Sequence, residues 1–475
     1  MTTATAKTDA MEQSFSWFSI IRLGLVQTSL GAIVVLMTTT LNRIMVVELQ
    51  LLALVPGALV AFHYAVQLSR PRWGYGADVG GRRTPFIVGG MAVLAAGGIL
   101  AAVATWLMAT SFAGGLLLAI FAFFLVGVGV GAAGTNLLAL LATKVSERRR
   151  PAAASIVWIM MIAGFAVTAA TVGQILDPFS FERLITITAA VCLLAVAVTA
   201  IAIFGLEKPR AISLPGGMRT DRGEGTSQGI ASTAAFVTAF REVWAEDKAR
   251  QFTIFVFVSM LAYSAQDLIL EPFAGIVFGM TPGQSTSLGG AQHAGVLLGM
   301  ITVALAGSGY GRGRFGSMRF WAVGGCLASA LAFVGLTIGS YLPDVWPLEA
   351  NVMALGIANG AFAVAAIGSM MGLANSGRAK REGTRMGLWG AAQAIGFGIG
   401  VFAGTAAVDL MRVVFEAPND AYAAVFFAEA LLFVVSAAIA WRVSPTAAAD
   451  KRIEITPSKT MHSSVLSGHK EAFRP

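Results

Sequence analysis

The chain has 475 residues, of which 56% are hydrophobic and 12% are charged, with a formal net charge of +8. Soluble domains carry roughly 25% charged residues, so this composition excludes a single soluble core and indicates a membrane protein. The basic residues are dispersed over the ends of apolar runs, which favours membrane topology over a patch that binds nucleic acid.

Apolar runs long enough to cross a bilayer, about 20 residues each, recur along the chain. A polar segment from Glu207 to Gln251 divides them six and six. We therefore predict an all-α integral membrane protein with spans at residues 20–42, 50–69, 85–108, 112–142, 152–176, 184–205, 252–272, 286–307, 317–341, 346–374, 384–412 and 420–442.

The lysines and arginines in the gaps give the orientation. Basic clusters follow spans two, four, eight and ten, whereas the gaps on the other side hold isolated arginines beside acids. The positive-inside rule then places both termini and the central segment in the cytoplasm. The predicted parts are a cytoplasmic N-terminus (1–19), a six-helix bundle (20–206), a cytoplasmic linker (207–250), a second six-helix bundle (251–442) and a cytoplasmic tail (443–475).

Polar side chains in the first four spans are candidates for lining a central cavity. Gln27 and Asn42 lie in span one, Glu48 follows it, and Asn136 lies in span four. Hydrogen bonding between helices is the usual fate of such groups, so that interpretation stays open beside cavity lining.

The loop after span two combines short turns with charge. Glycine permits a very short turn between helices, and an aspartate can pair with a helix N-terminus or with arginines. The loop resembles the signature loop of the major facilitator superfamily, which implies a twelve-helix major facilitator fold with two six-helix repeats. It departs from that signature at Val79. The alternative is an arginine-rich cytoplasmic loop whose charges only set the orientation of the chain in the membrane. The candidate conformational residues are Gly74, Gly76, Asp78, Gly81, Arg82 and Arg83.

Two short patterns recur in the second half of the chain. Gly74-Tyr75-Gly76 after span two matches Gly309-Tyr310-Gly311 after span eight, 235 residues later. Gly164-Phe165 in span five matches Gly396-Phe397 in span eleven, 232 residues later. Together with the division of the spans, these matches support two parallel repeats related by an axis along the membrane normal.

Several patterns that elsewhere carry chemistry do not predict an enzyme here. Residues Gly129 to Gly134 match a dinucleotide-binding glycine pattern, but they lie in mid-span without a preceding strand. Cys192 and Cys326 lie in apolar runs and predict neither a disulfide framework nor a paired metal site. Because the chain also lacks a phosphate-binding lysine loop and a zinc-binding histidine pair, we expect no catalytic residues and no metal site.

The linker ends in an amphipathic pattern. Phe236, Phe240, Val243 and Trp244 fall on one helical face, with charged residues elsewhere. This pattern predicts a helix that lies along the cytoplasmic membrane surface, and docking of an assembly partner is the alternative.

Two acids share one helical face late in span seven. Asp267 and Glu271 are one turn apart, and Glu48 holds a comparable position after span one. In a proton-coupled transporter, such acids would titrate within the bundle. They fall near the outer ends of their helices, where headgroup water would solvate them, and Pro272 predicts that span seven ends there.

A narrower resemblance is carried by four segments: TLNRIMVVEL (40–49), RPRWGYGADVGGRRTP (70–85), GTNLLALLATKVSERRRPAAASIVWIMMIAGF (134–165) and AQDLILEPFAGIVFGMTPGQST (265–286). They resemble the PucC-like family of light-harvesting assembly proteins of photosynthetic bacteria, and more closely its branch of bacteriochlorophyll synthase subunits and core-antenna assembly proteins. The resemblance implies a non-catalytic, multi-pass protein of the bacterial inner (intracytoplasmic) membrane. It further implies bacteriochlorophyll as a cofactor, with the lipid bilayer, antenna polypeptides and bacteriochlorophyll synthase as partners.

His63 in span two and His293 in span eight are candidate pigment ligands under that resemblance. Each lies in the second helix of its half, and they are 230 residues apart. Neutral imidazole is a good ligand for the magnesium of bacteriochlorophyll. A histidine that is hydrogen-bonded within the bundle is the alternative, because a polar ring inside a bilayer is costly unless it has a partner.

The sequence therefore predicts a membrane assembly factor for bacterial light-harvesting complexes that binds or delivers bacteriochlorophyll. Two alternatives stay open: a proton-coupled secondary transporter of a small molecule, and a non-catalytic scaffold subunit for bacteriochlorophyll synthase. Bound pigment would separate the first function from the second, and a synthase that co-purifies with little pigment would favour the third.

Overall fold

The computed structural model describes residues 15–70, 73, 82–146, 149–207, 244–306, 317–375 and 382–443. Within these residues, eleven helices are long and apolar enough to cross a membrane, and one further apolar helix is shorter. In chain order they are α1 Trp17–Glu48, α2 Leu54–Ser69, α3 Thr84–Met108, α4 Phe112–Lys144, α5 Arg150–Leu176, α6 Phe181–Ile203, α7 Ala249–Val277, α8 Pro282–Leu305, α9 Met318–Gly339, α10 Leu348–Asn375, α11 Glu382–Val414 and α12 Pro418–Val443.

The helices alternate in direction, which defines two sides of the molecule. α6 ends and α7 begins on the side where α1 begins, and we call this the linker side. We call the other side the far side; there α1, α5, α7 and α11 end and α2 and α8 begin. We refer to α1–α6 as the first half and to α7–α12 as the second half.

Two helices continue at least five residues past their predicted ends. α1 continues past residue 42 because its turns widen at Leu36–Thr40 and Ile44–Glu48 without breaking the helix. The predicted end of span seven at Pro272 was wrong, because α7 narrows into a single tight turn at Gln266–Leu268 and then continues. Pro272 has no backbone N–H to donate, and the helix nevertheless continues beyond it.

Each half has its own hydrophobic core. The first core gathers buried side chains chiefly from α1–α6, and the second gathers them from α7–α12. Cys192 and Cys326 are buried with free thiols, one in each core, as expected of packing residues. A much smaller cluster joins the halves where α5 meets α8: Met161, Ile162, Val296 and Met300.

Glycines bring α8 and α10 into close contact within the second half. A Cβ atom on Gly299 would lie 2.1 Å from the carbonyl oxygen of Ile357, and one on Gly360 would lie 2.1 Å from the carbonyl oxygen of Val296. In lipid, apolar burial gives little driving force between helices, so close packing of small residues contributes much of their association. This contact fixes the position of α8 relative to α10.

Candidate functional site between the two halves

The two halves meet along two seams. The first seam is formed by α2 against α11, and the second by α5 against α8. Two successive layers of contacts repeat from one seam to the other, and a third layer holds residues related by the same offsets. A residue of α2 in the first seam corresponds to the residue of α8 in the second seam that lies 230 positions later. A residue of α5 in the second seam corresponds to the residue of α11 in the first seam that lies 232 positions later.

The outermost layer of the first seam is a carboxylate at a helix start. Asp409, near the far-side end of α11, accepts hydrogen bonds from the backbone amides of Ala53 (3.0 Å) and Leu54 (2.7 Å) where α2 begins. The first amides of a helix have no partners inside it and carry partial positive charge, so a carboxylate is a favourable cap there. In this seam the cap comes from the other half of the molecule.

The second seam has the same outermost layer. Asp177, just after α5, accepts a hydrogen bond from the amide of Gly283 (3.1 Å) in the first turn of α8 and another from the hydroxyl of Thr281. Asp177 and Asp409 are 232 residues apart, and Ala53 and Gly283 are 230 residues apart. The two caps are therefore equivalent contacts: in each seam an aspartate of one half caps a helix start of the other half.

One turn further in, a glycine faces a hydroxyl residue in each seam. A Cβ atom on Gly57 of α2 would lie 2.0 Å from the hydroxyl of Thr405 on α11. A Cβ atom on Gly173 of α5 would lie 2.2 Å from the hydroxyl of Ser287 on α8. The offsets are again 232 and 230 residues, so each seam brings its helices together through one small residue.

The deepest layer contains the two predicted histidines. The ring of His63 lies 4.2 Å from that of Tyr64, which stacks at 5.9 Å on Phe397 of α11. The ring of His293 meets Phe165 of α5 edge-on at 5.0 Å. The structure therefore places His293 against Phe165 across the second seam, whereas in the first seam Tyr64, the residue after His63, contacts Phe397.

Asn42 joins the halves at a third place, where α1 meets α7. Its side-chain amide donates a hydrogen bond of 2.7 Å to the carbonyl oxygen of Leu268. That carbonyl would ordinarily accept from the residue four positions later, which is Pro272 and has no N–H. The proline that was predicted to end the helix instead leaves open the acceptor that Asn42 uses.

The other polar residues predicted for a cavity lie in different surroundings. Glu48 pairs with Arg43, which also donates a hydrogen bond of 2.7 Å to the carbonyl of Met280 in the second half. Gln27 donates to the sulfur of Met161 at 3.1 Å, within the first half. Asn136 is fully buried and donates at 2.9 Å to a carbonyl of its own helix.

The two acids of α7 differ in exposure. Asp267 is half-buried, whereas Glu271 is only 2% exposed. Neither oxygen of Glu271 has a partner in hydrogen-bond geometry among the described residues. The hydroxyl of Thr39 and the charge of Arg43 nevertheless lie close enough to act on this carboxyl group. The expectation that headgroup water solvates Glu271 is therefore wrong, because α1, α7 and α8 enclose it.

A third acid was missed by the sequence analysis. Glu429 of α12 is 3% exposed, and neither of its oxygens has a hydrogen-bond partner among the described residues. It lies close enough to Asp267 for the two charges to repel. The available signal was a lone glutamate in the apolar run AAVFFAEALLFVV, since an ionisable residue inside a membrane span suggests function by default.

Much of the predicted conformational loop and linker lies outside the described residues. The structure describes Arg82 and Arg83 at its end, where α3 begins. There the carboxylate of Glu207, from the end of α6, accepts hydrogen bonds from the amides of Arg83 (2.9 Å) and Thr84 (2.8 Å). The residues that lie outside are Gly74, Gly76, Asp78, Gly81, Phe236, Phe240, Val243 and the repeated Gly309-Tyr310-Gly311.

Glu207→Ala is expected to loosen the start of α3. Burial alone would raise the pKa of Glu207, but hydrogen bonds from Thr84 and Arg83 and the charge of Arg82 outweigh it and lower that pKa. The cap therefore stabilises the fold above the ordinary carboxyl pKa and is lost as the pH falls through the lowered pKa. At neutral pH, hydrogen exchange of the amides at 83 and 84 should quicken about fivefold, as expected for a cap worth about 1 kcal/mol.

At acid pH the two chains, Glu207→Ala and the unmodified one, should differ less in the hydrogen-exchange rates of these amides, because a protonated Glu207 no longer caps the helix. Glu416→Ala, which removes an exposed acid from the far-side loop between α11 and α12, is the matched control. If both variants exchange these amides equally fast at neutral pH, Glu207 does not cap α3.

Comparison with known proteins gives a family and relatives. Residues 40–448 match the family model described as PUCC protein. The "Bacteriochlorophyll synthase 44.5 kDa chain" of Rhodobacter capsulatus is 52% identical over 427 residues, which cover 90% of this chain and 95% of that one. "Protein PucC" of Cereibacter sphaeroides is 26% identical over 439 residues, which cover 89% and 91% of the two chains.

Solved structures match the fold along nearly the whole chain. A D-xylose-proton symporter superposes with a TM-score of 0.69 at 12% identity, covering 91% of this chain and 98% of that one. The peptide transporter POT in complex with sulfate superposes with a TM-score of 0.62 at 16% identity, covering 92% of this chain and 98% of that one. At such identities the similarity shows the fold alone. The predicted twelve-helix major facilitator fold with two six-helix repeats is confirmed.

Proposed function

This chain belongs to the PUCC protein family, and from that membership we propose that it is a membrane assembly factor for bacterial light-harvesting complexes that binds or delivers bacteriochlorophyll. The observation that carries the proposal is the match of residues 40–448 to the PUCC protein family, and the 52% identity to a protein named as a chain of bacteriochlorophyll synthase adds the link to the pigment. The family resemblance that four sequence segments predicted is confirmed by the match over residues 40–448.

The chemistry of the two seam histidines fits the pigment. Bacteriochlorophyll, when bound, would supply a magnesium ion that can accept a ligand from the protein. Nδ1 of His63 lies 2.5 Å from the carbonyl oxygen of Val60, which can only accept, so Nδ1 carries the proton and Nε2 keeps its lone pair. Nδ1 of His293 is buried without a hydrogen-bond partner among the described residues. We propose that these two neutral imidazoles would hold the magnesium of the pigment.

A non-catalytic role is part of the proposal. A multi-pass chain that handles pigment would work beside bacteriochlorophyll synthase and the antenna polypeptides, which are its proposed protein partners. Its proposed location is the bacterial inner (intracytoplasmic) membrane, with both termini and the linker in the cytoplasm, because the basic gaps fall on that side. Two six-helix bundles, 20–206 and 251–442, are its proposed membrane domains.

A proton-coupled secondary transporter is the second candidate function. Glu271 and Glu429 are enclosed carboxyl groups without hydrogen-bond partners among the described residues. Such groups inside a bilayer often mark proton or ion pathways. A scaffold subunit for bacteriochlorophyll synthase is the third candidate, and only the name of the 52% identical relative favours it.

A near-infrared absorption spectrum tests the proposed function. The protein is purified gently from a pigment-producing host and, in parallel, from a host that cannot make bacteriochlorophyll. We expect a stoichiometric pigment band in the first preparation that co-purified antenna does not account for. A colourless protein from the first host would contradict pigment binding and favour the transporter, whereas a synthase that co-purifies with little pigment would favour the scaffold.

A further inference from the structure

We propose that Tyr64 and Tyr263 donate hydrogen bonds to carbonyl oxygens of the bacteriochlorophyll that His63 would hold, and that these bonds fix the orientation of the pigment in the first seam. The inference rests on the proposed function and deepens it, because it assigns two positioning residues to a site that has so far only a proposed metal ligand.

Three aromatic rings from three helices meet beside His63. The ring of Tyr64 lies 4.2 Å from that of His63 on α2 and stacks at 5.9 Å on Phe397 of α11. Tyr263 of α7 meets the same phenylalanine edge-on at 5.8 Å. The two tyrosines therefore contact one common ring, although they come from different halves of the chain.

The phenol groups of both tyrosines are hydrogen-bond donors without an acceptor. Neither hydroxyl makes a hydrogen bond to a residue that the structure describes. Each tyrosine is only half-buried, so a bound molecule can reach it. A phenol keeps its proton at neutral pH and can therefore donate. An acceptor that enters this place thus finds two donors from two helices.

The charged neighbours of the phenols indicate that they face the interior of the molecule and not lipid. Asp267, one turn after Tyr263 on α7, lies close enough to act electrostatically on both tyrosines, and Arg70 lies close enough to act on Tyr64. Ionisable side chains within membrane spans almost always face the bundle interior, because exposure to lipid is costly. The accessible parts of the two tyrosines are therefore open to a space between helices.

Two phenol donors suit the edge of the macrocycle. The carbonyl oxygens there can only accept hydrogen bonds. A pigment held by one histidine alone can still turn about the bond to its ligand, whereas donors on two different helices restrict that rotation. A few placed polar groups in an otherwise apolar site are the usual means of fixing the orientation of a ligand.

The second seam differs from the first at this place. Ala294 follows His293 at the position that corresponds to Tyr64, 230 residues later. Phe165, which corresponds to Phe397, meets the ring of His293 directly at 5.0 Å. A pigment at His293 would therefore receive no hydrogen bond from the residue after its ligand, and the inference applies to the first seam alone.

Resonance Raman spectra of the carbonyl stretching bands test the inference, because a hydrogen bond lowers the stretching frequency of the carbonyl that accepts it. The variants are Tyr64→Phe and Tyr263→Phe, each made in a His293→Leu chain so that only His63 would hold pigment. Phenylalanine keeps the ring and removes the hydroxyl. The matched control is Tyr422→Phe, which removes a buried hydroxyl without a hydrogen-bond partner among the described residues from the core of the second half.

Each of Tyr64→Phe and Tyr263→Phe should move one carbonyl band to higher frequency. Each should also weaken pigment retention on dilution about fivefold, the loss expected for one hydrogen bond. Tyr422→Phe should do neither. A change in packing alone gives no reason for a shift of a single carbonyl band, so the spectrum separates positioning of the pigment from support of the bundle.

Three results would overturn the inference, and they are distinguishable. Unshifted carbonyl bands in both variants, with pigment still bound, would refute it and leave the proposed function standing. A His293→Leu chain without pigment, beside an unmodified chain that has it, would do the same by showing that His63 holds none. A colourless unmodified chain from the pigment-producing host would refute the proposed function, and the inference would fall with it.

Discussion

Gly299→Ala is expected to destabilise the second half of the molecule. Its methyl group would lie 2.1 Å from the carbonyl oxygen of Ile357 and 2.9 Å from the amide nitrogen of Ala361. These are backbone atoms, which cannot rotate away as a side chain can. α8 and α10 would have to separate, so we expect the free energy of unfolding to fall by about 1–3 kcal/mol, as overpacked cores do.

Gly324→Ala is the matched control, because it adds the same methyl group to another helix of the same half. No atom lies within 4 Å of the position that a Cβ on Gly324 would take. Alanine forms helices better than glycine by about 1 kcal/mol, so this variant should be as stable as the unmodified chain or more so. Thermal unfolding of both variants in one detergent measures the difference. A Gly299→Ala protein that matches Gly324→Ala in stability would show that α8 and α10 are not in tight contact.

The number of helices could be predicted from sequence because it depends on local composition. A run of apolar residues of bilayer length has few alternatives to a helix, since lipid offers no partners for backbone amides. The ends of the helices depend on distant residues and were less predictable. Pro272 does not end α7, because Asn42 of another helix satisfies the carbonyl of Leu268 that the proline leaves open.

The seams were predictable only where side chains repeat. His63 and His293 stood out because an imidazole is conspicuous in an apolar helix, and Phe165 and Phe397 stood out because each follows a glycine in a repeated pair. Asp177 and Asp409 are just as well matched, 232 residues apart. Each resembles an ordinary acid near a helix end. Its partner is a backbone amide of the other half, and because every residue type except proline has such an amide, the sequence does not identify the partner.

The exposure of the buried acids was unpredictable for a different reason. Position along a span gives the depth of Glu271 in the membrane, but it does not give the neighbours around it. Those neighbours come from α1 and α8. Gly289 lets α8 approach closely, since a Cβ atom on Gly289 would lie 2.6 Å from the carboxylate of Glu271. Depth alone suggested solvation, whereas the packing of three helices excludes it.

Removal of both seam histidines is expected to have the largest effect on function. If His63 and His293 each bind the magnesium of one macrocycle, His63→Leu or His293→Leu alone should keep roughly half of the bound pigment, and the double variant almost none. The measurement is the ratio of pigment absorbance to protein after gentle purification. Leucine removes the lone pair but keeps an apolar side chain in place, so the helices should pack as before.

A histidine that only stabilises the bundle would give a different result. His63→Gly leaves a space at the ring position, and free imidazole added to that variant can restore a ligand to magnesium without restoring the covalent side chain. Pigment that returns with imidazole would therefore show coordination, since lost packing alone gives no reason for such recovery. His469→Leu, which removes a histidine from the tail, should leave the pigment ratio unchanged. Full pigment retention in the double leucine variant would show that neither seam histidine is an axial ligand and would leave hydrogen bonding and packing as their roles.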